Sequence, residues 1–281
     1  MSEALLTPTR PVMRYHGGKW RLAPWIISYF PEHRIYVEPY GGAASVLMQK
    51  RPCYAEVYND ANGEIVNVFR VLRDPEMGEA LRRDVYFTPF AREEFALSYE
   101  PSDNPVEQAR RTILRSYMGF GSAAHNSRIP TGFRANSNRS GTTPAHDWVN
   151  YVEAIPMFVA RLQGVVIEHR PALEIIQQHD GPETLFYCDP PYPHETRKNR
   201  QAANYGEYEM TKQDHAALAE ALHGIEGMAI VSGYACEMYD HLYGDWESVS
   251  RATYADGARP RVETLWLSPR VSQERRQPVL L

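Results

Sequence analysis

The run Leu185, Phe186, Tyr187, Cys188 is apolar, short, and followed at once by Asp189 and two prolines. Such a run fits a buried strand of a parallel sheet. Neither Pro190 nor Pro191 has an N–H with which to continue a ladder. The strand is therefore expected to stop at Asp189, leaving that carboxylate at the C-terminal edge of the sheet. In open α/β folds this is the edge at which ligands bind. An ordinary Asp-Pro turn beneath a packed Tyr192 would read the same way, so these residues need support from elsewhere.

That support comes from the rhythm of the chain. In "RIYVEPYGGAASVLMQK" a strand is expected at Ile35 to Val37, with Glu38 at its end, a tight turn at Gly41 and Gly42, and a helix through Lys50. A second strand, "YAEVYND", ends at Asp60, and a helix is expected from Ala61. Strand, Gly-rich turn, helix, strand and acidic end make half of a nucleotide-binding α/β unit. From Pro75 to Gln163 the apolar spacing turns helical in "PVEQARRTILRSYM" and "DWVNYVEAIPMFVARL", around a polar stretch that predicts an exposed loop or hairpin. The strand-helix rhythm then resumes with "GVVIEH". A helix is predicted from Thr211, with Asp214 completing its cap. Further strands are expected in "GMAIVSGY", "WESVSRATYA" and "RVETLWLS", and the last dozen residues are expected to fray. The expected architecture is a Rossmann-like α/β sheet with helices on both faces. It is built from residues 1–74 and 164–281, with a mainly helical insertion at 75–163.

Composition narrows the function. Of 281 residues 43% are apolar and 23% charged, as in a soluble globular protein. A net charge of -5 argues against a surface that binds polyanions everywhere. Yet between Pro105 and Ser140 six arginines face a single acid, Glu107. The N-terminus lacks the basic and apolar regions of a signal peptide, and no apolar run approaches the ~20 residues that span a bilayer. Cys53, Cys188 and Cys236 have no metal-ligand spacing. Reduced thiols, a cytoplasmic location and no metal are expected. "EPYGGAAS" lacks the third glycine of the dinucleotide fingerprint, and no GxxxxGK[ST] phosphate loop occurs. Asp60, 22 residues after Glu38, is spaced to accept ribose hydroxyls, or to cap the following helix. A ribose without a pyrophosphate suits S-adenosylmethionine.

The order of pieces is specific. A Gly17-Gly18-Lys19 loop, Glu38-Pro39-Tyr40-Gly41-Gly42, Asn59-Asp60, an insertion, and Asp189-Pro190-Pro191-Tyr192 follow one another. The chain so resembles, from "RYHGGKW" to "ETLWLSP", the DNA adenine-N6 methyltransferases of the Dam (D12) class. The resemblance implies that Tyr15, Lys19, Glu38, Tyr40, Gly41 and Gly42 hold S-adenosylmethionine, with Tyr40 in place of the usual phenylalanine. Asp60 and Asp189 join this set, as does Glu168, unless Glu168 merely ends its strand. It also implies that Asp189 and the Pro190 carbonyl accept hydrogen bonds from the adenine amine, and that Pro190 and Pro191 keep the turn rigid. Tyr192 would give its ring to a base flipped out of duplex DNA. Asp rather than Ser at the first motif position favours adenine over cytosine N4. A cytosine-N4 or RNA adenine methyltransferase with the same cofactor site, and a catalytically silent DNA-binding relative, remain the alternatives.

In that family the insertion carries DNA recognition. Arg110, Arg111, Arg115, Arg128, Arg134 and Arg139 are then candidates for phosphates or guanine edges of double-stranded DNA. Arg110, Arg111 and Arg115 could instead be a solvated helix face. Arg197, Lys198 and Arg200 form a second basic group. "YMGFGSAA" from Tyr117 departs from the Tyr and N-G-x-x-R pattern of the GATC-specific members, so GATC recognition is not expected.

Overall fold

The computed structural model describes residues 7–121, 126–128, 130–135, 143–193, 196, 206–255 and 259–276, except the side chains of 254, 255, 259 and 260. The elements are, in chain order, α1 (Ala23–Ile27), β1 (Ile35–Glu38), β2 (Ala55–Asn59), α2 (Gly63–Arg73), α3 (Pro75–Phe87), α4 (Arg92–Leu97), α5 (Pro105–Met118), α6 (Pro144–Val149) and α7 (Ile155–Leu162). There follow β3 (Val165–Glu168), α8 (Ala172–His179), β4 (Thr184–Cys188), α9 (Lys212–His223), β5 (Met228–Gly233), α10 (Glu237–Tyr243), β6 (Glu247–Ala255), β7 (Arg259–Leu267) and α11 (Pro269–Arg276). The fold is mixed α/β, with a seven-stranded sheet in the order β3-β2-β1-β4-β5-β7-β6 flanked by helices. Two compact units divide the chain. One is Met1–Arg21, Gly42–Gln49 and Asn62–Ile167; the other is Leu22–Gly41, Lys50–Ala61 and Glu168–Leu281.

The first unit is helical and contains the whole of 75–163. Its centre is α2, which buries Ile65, Val66, Val68, Phe69, Val71 and Leu72. Apolar residues around so much of its circumference require neighbours on several sides, and α3, α5 and α7 supply them. Polar side chains set the helix starts. The Asn62 side chain accepts the Glu64 N–H, Asp74 accepts those of Glu76 and Met77, and Asn104 accepts those of Val106 and Glu107. Pro75 and Pro105 open α3 and α5, where a missing N–H costs nothing.

The second unit carries β1, β2, β4 and β5 as parallel neighbours, with Val37 beside both Val57 and Phe186, and Phe186 beside Ala229. β7 returns antiparallel to β5, and β6 pairs antiparallel with β7. Val37, Phe186, Ala229, Val231 and Trp266 share one core with Ile175 and Ile176 of α8 and Leu218 and Leu222 of α9. The chain leaves β1 for β2 on one side and later enters β4 on the other. The gap between the C-terminal ends of β1 and β4 is thus a topological switch point.

Three expectations change. The helix expected through Lys50 is a series of turns, because Gly42 (φ 49°) and Ala44 (φ 51°) lie in the left-handed region. L-residues do not continue a right-handed helix from there. The helix after Asp60 begins at Gly63, so its cap is Asn62 and not Asp60. The C-terminal stretch forms α11 through Arg276, with Val271 buried; 277–281 lie outside the described residues.

Beneath the sheet, Lys50 Nζ donates to Glu56 Oε1 at 2.6 Å and to the Arg51 carbonyl at 2.7 Å, and lies 4.6 Å from the Tyr36 ring centroid. Both charged side chains are 3% exposed. Removing one member of a buried ion pair is strongly destabilising, so Lys50→Ala should lower unfolding free energy by about 3–5 kcal/mol. Urea denaturation should show this, and Lys50→Met combined with Glu56→Leu should recover most of the loss.

Candidate active site

β4 is buried along its whole length, and Asp189 follows it, half-buried, ahead of a buried Pro190. Asp189 Oδ1 accepts a hydrogen bond from Ser232 Oγ of β5 at 2.9 Å, and Ser232 Oγ lies 3.0 Å from the Tyr187 hydroxyl. Tyr192 is 7% exposed. Its hydroxyl donates to Glu263 of β7, and its ring meets Tyr234 edge to face at 4.8 Å. Burial, then the charges of Asp189 and Glu263, push the Tyr192 phenol well above its usual range, so it remains a donor.

The neighbouring strand ends are tied as firmly. Glu38, 2% exposed, accepts from the Tyr36 hydroxyl at 2.7 Å. Tyr40 packs against the core, where burial pushes its phenol up strongly. At Gly41 a Cβ would stand 2.2 Å from the ring of the fully buried Tyr58, and the Gly41 N–H donates to the Asn59 carbonyl at 2.7 Å. Asn59, fully buried, donates to the carbonyls of Pro39 (2.9 Å) and Arg170 (3.0 Å) and accepts from the Arg170 N–H (2.9 Å). It thereby joins the loops after β1, β2 and β3. Asp60 and Glu168, both half-buried, stand at two of those strand ends.

In the second unit, then, Glu38, Asp60, Glu168 and Asp189 are brought to one edge. Carboxylates there suit ribose hydroxyls and a cationic ligand, and they do not suit a pyrophosphate. Among the described residues no group of three or more His, Cys, Asp or Glu side chains could hold a metal ion. In the first unit Tyr15, Lys19 and Gly42 gather separately. The Gly18 N–H donates to the Tyr15 carbonyl at 3.1 Å, and the nearly buried Lys19 donates to the Gly17 carbonyl at 2.8 Å. A Cβ on Gly42 would stand 2.9 Å from the Tyr15 ring, so Tyr15 lies against a position that its backbone conformation also reserves for glycine.

The arginines of the insertion divide by burial. Arg110 donates to Glu107, Glu94 and Thr88, and Arg111 to Glu107 and the carbonyls of Glu100 and Pro101. Arg115, 2% exposed, donates to the Ser98 carbonyl and to Glu64. Arg115 therefore points into the helical unit and not toward a surface where DNA could reach it, and neither Arg110 nor Arg111 is a merely solvated face. Glu64 also accepts from Ser127 at 2.8 Å, so the Arg115–Glu64 pair anchors the loop that presents the exposed Arg128. Arg134, half-buried, donates to the Tyr117 carbonyl beside the Gly119–Phe133 bridge. Arg139, Arg197, Lys198 and Arg200 lie outside the described residues.

Ser232, Tyr234 and Glu263 were not singled out from the sequence, and Asn59 only as part of the Asn59-Asp60 pair. For Ser232 the signal is a polar side chain inside a strand that is otherwise apolar, which must find a buried partner; Tyr234 follows that strand, and Glu263 lies in a strand of mixed polarity. Asn59→Ala removes three hydrogen bonds of about 1 kcal/mol each. Equilibrium unfolding should show a loss of about 2–3 kcal/mol, whereas an unchanged midpoint would mean that the staple contributes nothing.

Residues 15–118 match the family model described as D12 class N6 adenine-specific DNA methyltransferase. That segment includes the Gly-Gly-Lys loop, Glu38 to Gly42 and Asp60, and stops before Asp189. The chain is 25% identical over 220 residues to the DNA adenine methylase of Vibrio cholerae serotype O1, covering 75% of each chain. It is 24% identical over 230 residues to the DNA adenine methylase of Salmonella typhi, covering 76% of each. It is 23% identical over 274 residues to the type II methyltransferase M1.LlaDCHI of Lactococcus lactis subsp. cremoris, covering 89% of this chain and 90% of the relative. With the motifs in that family's order on a mixed α/β sheet, the chain is similar to the D12 class N6 adenine-specific DNA methyltransferases over residues 15–118, and to DNA adenine methylases over about three quarters of its length.

Proposed function

We propose that this protein transfers a methyl group from S-adenosylmethionine to the exocyclic N6 of an adenine flipped out of duplex DNA. The observation that carries this reading is Asp189, set by Pro190 and Pro191 at the end of β4, with Glu38 at the end of the adjacent β1 across the switch point. The adenine amine is a poor nucleophile, because its lone pair is delocalised into the ring. Asp189 and the Pro190 carbonyl accept its two N–H bonds and so localise that pair. A rigid Pro-Pro turn holds both acceptors in place before the base arrives, as proximity catalysis requires. The bound S-adenosylmethionine supplies a methyl group on a positively charged sulfur. Asp60 accepts the ribose hydroxyls, a role favoured by the capping of α2 by Asn62 instead. Glu38, Tyr40, Gly41, Gly42, Tyr15, Lys19 and Glu168 complete the cofactor residues. Tyr192, anchored through Glu263, holds the flipped base.

Residues 75–163 are assigned to target recognition on the remaining 1–74 and 164–281, with Arg128 and Arg134 the DNA contacts among the described arginines. Arg139, Arg197 and Lys198 join them on sequence alone, and Arg115 acts by holding the Arg128 loop. Activity on cellular DNA accords with the cytoplasm, and among the described residues no helix is long and apolar enough to cross a membrane.

Asp189→Ala should abolish single-turnover methyl transfer while S-adenosylmethionine still binds; near-normal turnover would remove Asp189 from the mechanism. Asp60→Ala should weaken cofactor binding by ~1.5–3 kcal/mol, measured by titration, and an unchanged dissociation constant would deny it the ribose. Arg128→Ala and Arg134→Ala should separate on a library of sites at two salt concentrations. A phosphate contact weakens all sites alike and lowers the salt slope by about one counterion. A guanine contact costs ~1–3 kcal/mol at the cognate site and relaxes specificity there, the behaviour expected of Arg134. Wild-type rates, site preference and salt slope in both variants would place recognition elsewhere in the chain.

A further inference from the structure

Ser232 sits on β5 between Val231 and Gly233, fully buried, in a strand whose other side chains are apolar. A hydroxyl there is costly unless it is bonded, and a small apolar residue would fill the same space. Its two neighbours give it a use. The Asp189 carboxylate can only accept, so at 2.9 Å Ser232 is the donor. The single serine proton is then committed, and the Tyr187 hydroxyl, 3.0 Å from Ser232 Oγ, must donate to it. The direction of the chain is fixed: Tyr187 to Ser232 to Asp189. Tyr187 is itself held in the core, with its ring 6.1 Å from Phe30, and burial keeps its phenol protonated far above the usual range.

We propose that Tyr187 and Ser232 form a hydrogen-bond relay that sets the orientation of the Asp189 carboxylate toward the target amine, making both of them positioning residues for methyl transfer. This rests on the assignment of Asp189 to the acceptor amine. Asp189 follows the end of β4, and the Pro190 and Pro191 turn holds its backbone but not its side-chain torsions. A carboxylate has about four lone-pair sites, so accepting one bond from Ser232 orients the group without exhausting it. Serially polarised bonds strengthen one another in a low-dielectric interior, so the tyrosine reinforces the serine's hold. The relay comes wholly from strands β4 and β5, which are rigid elements and suit a geometry that has to be kept closely.

The test uses the full chain, duplex DNA, S-adenosylmethionine, and the variants Ser232→Ala, Ser232→Cys, Tyr187→Phe and Tyr187→Phe/Ser232→Ala. Wild-type enzyme and Asp189→Ala run alongside. Misplacing a reacting group slightly can cost on the order of 100-fold. Ser232→Ala should therefore slow single-turnover methyl transfer roughly 10- to 100-fold. The cofactor dissociation constant and the fluorescence of a 2-aminopurine duplex reporting base flipping should stay within about twofold, since neither depends on that orientation. Ser232→Cys, a weaker donor of similar size, should lie between wild type and Ser232→Ala. Tyr187→Phe should slow transfer several-fold on its own and have no further effect when Ser232 is already alanine, because the relay is broken there. A purely structural role would instead give additive losses in the double variant, accompanied by lower thermal stability and weaker binding. That pattern, or single-turnover rates at the wild-type level in Ser232→Ala, would overturn the relay. If instead the wild type failed to methylate adenine, or Asp189→Ala kept its rate, the proposed function itself would fall.

Discussion

Two successive residues without an N–H cannot extend a parallel strand, and at Pro190 and Pro191 this limit falls at the end of a strand at the middle of the sheet. β4 has to stop there. Its last acidic side chain and the carbonyl that follows must then stand at the C-terminal edge, beside the place where the chain's path through the sheet reverses. The other strand ends are arranged around that stop. β1 delivers Glu38 one strand away, and β2 and β3 deliver Asp60 and Glu168. The proline pair therefore determines both the end of a structural element and the place of the proposed chemistry.

What keeps this edge in one geometry is a set of short polar ties, most of them buried. Tyr36 holds Glu38, Asn59 joins three loops, Ser232 holds Asp189, and Glu263 holds Tyr192. Each hydrogen bond contributes only about 1 kcal/mol net, but leaving its buried partner unsatisfied costs more, about 1–3 kcal/mol. Small departures are thus penalised at every strand end. The first unit has, within itself, a different device: Ala44 holds a left-handed backbone two residues after Gly42, a conformation costing of order 1–3 kcal/mol. Strain of this kind persists only where the surroundings over-determine it, here a fully buried alanine with Tyr15 packed against Gly42.

The sheet and the order of its acidic ends were legible in the sequence because short apolar runs, Gly-rich turns and proline stops are local signals. The helix expected after Gly42 was not, because "AASVLMQK" has good helical composition and nothing in it announces a positive φ at an alanine. Asp60 and Asn62 are both acceptable caps, and two residues of difference decide which one the helix uses. Glu107 stands one turn before Arg110 and Arg111 and is a local partner to both, but Glu94, which completes the set at Arg110, and Glu64, which holds Arg115, lie far off in sequence and meet them only on folding. Ser232 and Glu263 were hidden for the same reason. A lone polar residue in an apolar strand signals that a partner exists without saying which one.

The proposed roles of Asp189, Pro190 and Tyr192 all depend on the acceptor being the N6 amine of adenine in DNA. Duplex DNA and structured RNA of mixed sequence, incubated with the wild-type protein and isotopically labelled S-adenosylmethionine, can be digested to nucleosides and separated by mass. The label should appear in N6-methyldeoxyadenosine from the duplex and be lost with Asp189→Ala. Label in N4-methyldeoxycytidine or in RNA adenosine, or in no nucleoside at all, would contradict that assignment.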